Sequence, residues 1–523
     1  MKHIKYLIAV LGISTAMAGC DMSDFGDINT SPNSVSTAYT SMLFTAAARS
    51  VPDFIVNNTS YDPWTQEWTG YITECKNNQF GGFQATKGFG TGGYYLGAIR
   101  NLNKIISFNQ NPSTNNTTPV TTFGSNRNQI AAAKTLRAFF YMTLTDIVGP
   151  IPYSEAFLGD STNNWKPKFD AMADIYSGLD ADLKTAYSEF DTSGSLSEAD
   201  VLYGGDIAKW KKFNATLRMM MAIKMADVDP ANGKTRFAAA YADGGMTAVE
   251  DGFNYTYDSN TFAPFYYMGN PGYVSSPGYG ANKTIVNYLK DWKDNRLLVY
   301  FDCHGFDQTH NPKVDQSKLE YGVSDSIDAI IDKSFYGIGF GLMSNNDVAA
   351  AEDTACYIAQ DPYCQKTATY GVITTARCLL VEAEAAELGW ISADANTLYE
   401  AGIKSSFSAT GAKSVDKYLA TAKVKLSSDK ATALKQIVTQ RFLAGFLTDG
   451  VEAWSDWRRY NIPILPIEEN QTAHQITVYP YRMQYGDNDI QYDKDAAEEA
   501  ISKYFGGNDT RWQRLWWDTA DNK

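Results

Sequence analysis

The chain has 523 residues and a formal net charge of −14, and 44% of its residues are hydrophobic. This length and apolar content can fill a large core, which excludes a disordered chain. The negative charge argues against nucleic acid and anionic lipid head groups as electrostatic partners, and no stretch after the N-terminus is apolar enough for a membrane helix.

The first twenty residues have the organisation of a secretory signal. Two lysines precede a short apolar run, which ends in Met17, two small residues and Cys20. A cysteine at this place resembles a lipobox, in which residues 1–19 are removed and Cys20 becomes the lipid-bearing N-terminus. A plain signal peptide is the alternative, because Met17 stands where lipoboxes usually carry leucine. The apolar run is too short for a transmembrane helix.

The rest of the chain is expected to be a tether followed by one folded domain. Residues 20–38 are rich in turn formers and lack hydrophobic periodicity, which favours an extended tether, and the domain is expected over 39–523. Alanine and glycine in the segment 396–409 indicate close helix pairing of the tetratricopeptide kind, although no repeat of about 34 residues is visible. Hydrophobic periodicity predicts helices over 39–50, 128–148, 171–190, 206–227, 284–292, 370–390, 396–409 and 430–446.

Aromatic residues make up 13% of the chain, which is more flat apolar surface than a core of this size requires. Many lie in two glycine-rich stretches, the first aromatic segment (61–95) and the second aromatic segment (250–279). Residues 64–71 can be helical, but the glycine spacing after Phe80 cannot, and the second segment is expected to be loop with a short strand. Residues 305–347 are also expected to be irregular. The placement of the aromatics suggests a surface that stacks on a ligand.

Five cysteines follow Cys20, namely Cys75, Cys303, Cys356, Cys364 and Cys378. An odd number in an exported protein leaves at least one thiol unpaired unless the protein dimerises. Cys356 and Cys364 flank a short segment with a turn-favouring Asp-Pro, which leads to the hypothesis of a local disulfide. Cys378 lies in a helical pattern and is expected to be a small buried hydrophobe.

Several long blocks, in the same order, resemble SusD/RagB-type nutrient-binding outer-membrane lipoproteins of Bacteroidetes. The DINTSPNS leader, NRLLVYF (295–301) and LWWD (515–518) extend the likeness over nearly the whole mature chain. Two loops depart from the family pattern, because Asp294-Asn295-Arg296 replaces Asp-Pro-Arg and the segment after Arg482 lacks the usual Tyr-Pro. The main blocks are LRAFFYMTLTDIVGPIPYSEAF (136–157), WKKFNATLRMMMAIKMADVDP (210–230), LLVEAEAAELGW (379–390) and ALKQIVTQRFLAGFLTDGVEAWSDWRRYNIP (433–463).

The resemblance implies an all-α fold, a tetratricopeptide-like helix-pair superhelix with long loop excursions that form the binding face. It also implies a cell-surface lipoprotein, anchored in the outer membrane through Cys20, that captures oligosaccharides or peptides. The implied partner is a SusC-like TonB-dependent outer-membrane transporter, which the protein covers like a lid. Neither an enzymatic activity nor a catalytic residue is implied.

Aromatic rings in the two segments are the candidate ligand contacts, because sugar rings present apolar C–H faces that stack on Trp and Tyr. The alternative for Trp64 and Trp68, four residues apart, is that they bury one face of a helix. These positions follow from composition and placement and are not copied from the family. The candidates are Trp64, Trp68, Tyr71, Phe83, Tyr266, Tyr273 and Tyr279.

A secreted glycan hydrolase is the alternative function. Such an enzyme needs two carboxylates facing one cleft a few ångströms apart, and nothing in the sequence singles out a pair. Glu382, Glu384 and Glu387 lie on a predicted helix and are expected to form a solvated face or a salt-bridge row. A Gly-x-Ser-x-Gly elbow is absent from the sequence.

No cofactor or metal is expected from a sequence motif. Residues 487–498 resemble a calcium-binding loop, but Tyr492 stands where its turn requires glycine. Cys303-His304 with His310 lacks the paired-cysteine spacing of a zinc site. An irregular calcium site elsewhere stays open. The WRRY segment (457–460) and the tryptophans at 512, 516 and 517 are expected to be structural, with Arg458 or Arg459 bound to helix carboxylates.

Overall fold

Helices form most of the architecture. A computed structural model describes residues 38–55, 63–74, 88–260, 263–268, 279–303, 315–339, 356–448, 450–466 and 478–519. Its long helices are α1 (Thr40–Ala48), α2 (Arg100–Gln110), α3 (Asn126–Val148), α4 (Met172–Glu189), α5 (Ile207–Lys224), α6 (Pro230–Asp243), α7 (Lys283–Asp291), α8 (Asp325–Ser334), α9 (Thr375–Glu387), α10 (Ala395–Thr410), α11 (Lys430–Ala444), α12 (Gly450–Tyr460) and α13 (Lys494–Phe505).

Most of these helices begin at a side-chain cap. Ser125 accepts a hydrogen bond from the Asn128 amide at the start of α3, and Asp206 accepts from the first amides of α5. Each cap satisfies an amide that has no partner inside the helix. α10 ends at Gly411, whose φ of +72° is a left-handed value that glycine adopts without strain. The further caps are Asp229, Asn282, Ser324, Thr374, Asp394 and Asp429.

Helices that are neighbours in the sequence pack as pairs. α2 packs on α3, α3 on α4, α5 on α6 and α9 on α10, while α11 contacts both α9 and α12. Gly402 allows the close approach of α10 to α9, because an added Cβ would lie 2.6 Å from Leu380 Cγ. From Thr40 onward the described residues form one compact unit. The predicted all-α, tetratricopeptide-like arrangement of helix pairs is confirmed.

The strands are short and antiparallel where they pair. β1, β5, β7 and β6 form one sheet in that order, β4 pairs with β8, and β2 pairs with β3. They are β1 (Ile72–Glu74), β2 (Ile151–Pro152), β3 (Phe169–Asp170), β4 (Phe253–Thr256), β5 (Tyr279–Ala281), β6 (Phe301–Asp302), β7 (Tyr357–Ile358) and β8 (Thr369–Ile373). β1 lies within the first aromatic segment and β5 begins at the last residue of the second, so this sheet links the two segments.

Some predicted boundaries are wrong. The helix predicted over 370–390 begins only at Thr375, because the residues before it form β8 and bury Tyr370 and Val372. The helix predicted over 206–227 ends at Lys224, and a helix that was not predicted, α6, begins at Pro230, since proline is tolerated in the first helical turn. α8 also lies inside the stretch 305–347, which was expected to be irregular.

A buried ion-pair cluster joins α9, α11 and α12. The Glu384 carboxylate accepts hydrogen bonds from Arg459 at 2.6 Å and Tyr460 at 2.7 Å and forms an ion pair with Arg441. Arg441 also binds Asp456 at 2.8 Å. Burial raises the pKa of Glu384, but the two guanidinium groups outweigh burial and lower the pKa to about 2. Of the three glutamates expected to form a solvated face or a salt-bridge row, Glu384 forms salt bridges, whereas Glu382 is buried and fits neither expectation. The predicted binding of Arg459 to a helix carboxylate is confirmed.

A second buried cluster is centred on Asp146 of α3. Its carboxylate accepts hydrogen bonds from Lys224 at 2.6 Å, Tyr176 at 2.6 Å and the Trp517 indole at 2.8 Å. Lys224 also binds Glu452 of α12 at 2.6 Å. Apart from Tyr176, the residues of this cluster lie in the blocks that carry the family resemblance.

The tryptophans near the C-terminus have different environments. Trp517 is fully buried, as expected of a residue that seals the helices, whereas Trp512 is 42% exposed. Among the described residues, none of the helices combines the length and the apolar character needed to cross a membrane.

The hypothesis of a Cys356–Cys364 disulfide is contradicted. All four described cysteines are thiols in this structure, but Cys364 Sγ contacts the Ile358 carbonyl oxygen at 3.9 Å and not Cys356. Cys356 is instead in hydrogen-bond contact with Cys303. Cys378 is buried, as expected.

Candidate ligand-binding cleft

The structure buries the predicted ligand residues at the start of the first aromatic segment. Trp64 and Trp68 are 7% and 2% exposed, and both rings pack edge-on against Trp454. Tyr71 is fully buried, stacks on Phe442 with ring centroids 4.9 Å apart, and donates its hydroxyl to the Phe442 carbonyl oxygen at 2.9 Å. For these three residues the geometry favours the alternative of core packing.

Two of the remaining predicted contacts, Tyr266 and Tyr279, lie in the described part of the chain. Tyr279 is buried on β5, and Tyr266 is half-buried with Lys366 Nζ 5.4 Å from its ring centroid. Phe83 and Tyr273, like Cys20, lie outside the described residues. Ligand contact by the seven residues stays a prediction.

The two most exposed aromatic side chains of the described chain line one open cleft of about 870 Å³. Tyr492 is 83% exposed and Trp165 is 68% exposed. The lining also includes Leu96, which is 58% exposed, and Phe157, which is 40% exposed. Apolar side chains so exposed around one cavity are a feature of ligand sites.

A loop closed by β2 and β3 supplies one wall of the cleft. Asp170 of β3 accepts hydrogen bonds from the Ser154 amide at 2.7 Å and the Ser154 hydroxyl at 2.8 Å, which fixes the start of the loop. Phe157 has a φ of +63° and stacks on Tyr95 with ring centroids 6.0 Å apart. A left-handed conformation costs a non-glycine residue about 1–2 kcal/mol. The packing against Tyr95 holds this strained residue in place beside the cleft.

Trp165 is seated on the same loop. Its indole N–H donates to Asn163 Oδ1 at 3.2 Å, and its ring lies on Gly159, where an added Cβ would be only 2.6 Å from Cε3. Asn164 donates to Glu155 Oε2 at 3.0 Å across the loop. These contacts fix one side of the indole and leave most of its surface to solvent.

Asp489 connects the opposite walls. Its carboxylate accepts hydrogen bonds from the Thr91 amide at 2.8 Å, the Thr91 hydroxyl at 3.0 Å and the Gly92 amide at 3.2 Å. Gly92 begins the helical stretch that continues into α2, and Asp489 lies in the short helix Asp487–Tyr492. The carboxylate therefore ties the wall that bears Leu96 to the wall that bears Tyr492.

Asp493 is an incompletely satisfied acceptor in the lining, because the nearby Ala496 amide approaches it without good hydrogen-bonding geometry. The residue is 9% exposed, and neither carboxylate oxygen has a partner at hydrogen-bonding geometry. Burial raises the pKa of Asp493, which the Ala496 amide offsets only in part. An unsatisfied buried acceptor costs about 1–3 kcal/mol, which a ligand hydroxyl could recover. Arg100 and Lys104 are exposed in the same lining and can donate to ligand oxygens.

A smaller cavity of about 530 Å³ lies between β8 and α10. Hydroxyl groups of Ser405, Thr410 and Thr374 line it, while its Tyr300 and Phe446 rings are buried. It therefore offers polar contacts without an exposed aromatic face. In the parts of the chain that the structure describes, no group of three or more His, Cys, Asp or Glu side chains could hold a metal ion.

Sequence reasoning missed the cleft because its aromatics are isolated. Trp165 stands in NNWKPK and Tyr492 in DIQYDKD, and neither run has hydrophobic periodicity. The sequence offered only one signal for each of these residues, which is a single aromatic side chain in a polar, non-periodic run. It does not show that the two runs, far apart in sequence, meet across one cavity.

Comparison with known families gives a match over most of the chain. A model of the SusD-like family, described as starch-binding and associating with the outer membrane, matches residues 32–486. Among curated protein sequences, none matches the chain significantly.

Solved structures share the fold. A chitin-binding protein has a TM-score of 0.74 at 22% identity, with 92% of this chain and 100% of that chain covered. A SusD homologue from Bacteroides fragilis gives 0.73 at 21% identity, covering 92% and 100%. A chitin-binding SusD homologue from Flavobacterium johnsoniae gives 0.69 at 21% identity, covering 92% and 99%. At these identities the likeness establishes the fold alone.

Proposed function

The chain belongs to the SusD-like family, and from this premise we propose that it captures oligosaccharides at the cell surface and delivers them to a partner TonB-dependent outer-membrane transporter. Proteins of this family are outer-membrane nutrient-binding proteins and not enzymes. Delivery, the transporter and a lipid anchor on Cys20 are the further parts of the proposal. Its main structural support is the open cleft with Trp165 and Tyr492.

The proposed ligand is a neutral chain of six-membered sugar rings. The family description names starch, and two of the similar structures are named as chitin-binding. Both polymers present apolar C–H faces that suit the exposed rings of Trp165 and Tyr492. The hydroxyl groups of such a ligand could bind the Asp493 carboxylate and the Arg100 guanidinium, which both line the cleft.

The two aromatic segments complete the proposed binding face. Of their predicted contacts, Tyr266 keeps part of its ring accessible, and Phe83 and Tyr273 belong to the same proposal. The buried rings of Trp64 and Trp68 would support this face from the core.

Calorimetry on the purified mature chain tests the proposal. The probes are malto-oligosaccharides, chito-oligosaccharides and short peptides, and chromatography of each mixture after long incubation detects products. Binding of an oligosaccharide without new products supports capture. New products would favour the alternative of a secreted hydrolase, and binding of peptides alone would contradict the assignment of a sugar ligand.

A further inference from the structure

Two cysteines lie opposite each other at the end of a strand pair. In the antiparallel pair of β6 and β7, Phe301 faces Ile358 and Asp302 faces Tyr357. The next positions along the two chains are Cys303 and Cys356. Directly opposed residues of antiparallel strands have Cα atoms about 4.5–5.5 Å apart, which lies within the range of about 4.4–6.8 Å that a disulfide spans.

The two thiols also contact each other. The Cys303 thiol donates a hydrogen bond to Cys356, which lowers the pKa of Cys356 and raises that of Cys303. The Tyr336 amide donates to Cys356 Sγ at 3.4 Å and further favours a thiolate there. A thiolate is the form that takes part in disulfide exchange.

The other described cysteines lack such a partner. Burial raises the pKa of Cys364 to about 12, and its sulfur contacts a backbone carbonyl oxygen. Cys378 lies in α9, where it contacts the Thr216 hydroxyl at 3.3 Å and Glu382 at 3.5 Å. Burial also raises the pKa of Cys378. We therefore expect the thiols of Cys364 and Cys378 to be unreactive residues of the core.

We propose that Cys303 and Cys356 form a structural disulfide when the protein enters an oxidising compartment. Two S–H bonds break and one Sγ–Sγ bond forms. The two electrons and two protons pass to the disulfide of a thiol–disulfide oxidant, which is reduced to two thiols. The proposal rests on export for its physiological setting, but the reaction itself depends only on the geometry of the folded chain.

The bridge would fasten the sheet that links the two aromatic segments. β7 lies between β5 and β6 in that sheet, and the bridge would close a loop over the 52 residues from 304 to 355, which include α8. Cross-linking a long loop restricts the unfolded chain and stabilises the fold. The strand β5, which follows the second aromatic segment, would then be held on a covalently fixed partner.

Peptide mapping of non-reduced protein by mass spectrometry tests the bridge. The probe is full-length protein purified from its native membrane, with thiols alkylated before digestion. We expect a cross-linked peptide pair that contains Cys303 and Cys356, and three alkylated cysteines among the five that follow Cys20. Five alkylated cysteines, or a Cys356 linked to any other cysteine, would overturn the proposal.

A second arm separates the bridge from the question of export. Reduced, folded protein is incubated with oxidised glutathione, and its denaturation midpoint is compared with that of the reduced sample. We expect the midpoint to rise in the wild type and in Cys364→Ser, and not in Cys303→Ser. A midpoint that does not rise in the wild type, or that rises equally in Cys303→Ser, would contradict the proposal, whatever the cellular location.

Discussion

At the scale of single residues, two glutamates of α9 have opposite electrostatic environments. Glu384 is paired with two arginines and has a pKa of about 2. Glu382 is buried, receives only a weak hydrogen bond from Cys378, and burial raises its pKa to about 7. The two glutamates are only two positions apart on one helix, but their pKa values shift in opposite directions because their side chains face different neighbours.

We predict that Glu384→Gln lowers the free energy of unfolding at pH 7 by about 3 kcal/mol, since Arg441 and Arg459 would lose a buried counter-charge. In the wild type, the unfolded chain binds a proton between pH 4.5 and pH 2 that the folded chain does not bind. The stabilisation by Glu384 is therefore present above this range and is lost as the pH falls through it. Urea denaturation at a series of pH values measures both effects, and a variant as stable as the wild type at pH 7 would contradict them.

Glu382→Gln is predicted to have the opposite effect. Between pH 4.5 and pH 7 the folded chain holds a proton that the unfolded chain has released, so the free energy of unfolding falls as the pH rises. The neutral variant avoids this loss and should be more stable than the wild type at pH 8 by up to ~3 kcal/mol, with no difference near pH 4. The same denaturation series serves as the measurement. A variant that is less stable at pH 8 would show that the carboxylate is well solvated or paired.

At the scale of elements, the position of the Trp165 indole depends on Gly159. We predict that Gly159→Ala displaces the indole, because the added Cβ would lie 2.6 Å from the ring. Oligosaccharide affinity should fall about tenfold, which corresponds to ~1.4 kcal/mol. Gly97→Ala is the matched control, because its added Cβ meets no atom within 4 Å. Equal affinities for the two variants in calorimetry would argue against a role of the indole position.

Eight of the long helices could be predicted from the sequence, because their signals are local. The helices α2, α6, α8, α12 and α13 were not predicted. Ser125, Asp394 and Gly411 mark helix ends through contacts with their own neighbours, and the apolar spacing of α3 and α5 is visible without any partner. β8 could not be predicted, because its pairing with β4 decides its conformation and the two strands are far apart in the sequence.

The candidate site was largely hidden from the sequence for the same reason. The aromatic excess led to the hypothesis of a stacking surface, which stays a prediction, but Trp64 and Tyr71 are core residues. Whether an aromatic ring is buried depends on which helices pack over it, and the composition of the chain does not reveal this packing. Trp165 and Tyr492 meet only because Asp489 and the β2–β3 loop bring two distant parts of the chain together.

At the scale of the whole molecule, the proposed lipid anchor on Cys20 holds the folded body at the membrane. We predict that Cys20→Ala releases a folded protein that still binds oligosaccharide but no longer supports uptake by cells. Fractionation, calorimetry on the released protein and growth on the oligosaccharide measure the three effects. Wild-type growth of this variant would argue that contact with the transporter alone retains the protein.

The central claim is that the exposed cleft binds a neutral oligosaccharide through its aromatic rings. Calorimetric titration of the wild type, the double variant Trp165→Ala/Tyr492→Ala and the control Trp512→Ala tests it most directly, with malto- and chito-oligosaccharides as probes. Trp512 is a suitable control because it is 42% exposed and lies outside the cleft lining. Loss of a buried aromatic contact costs about 2 kcal/mol, so the double variant should bind at least ~30-fold more weakly, while the control binds as the wild type does. Oligosaccharide binding of undiminished affinity by the double variant would contradict the assignment of this cleft.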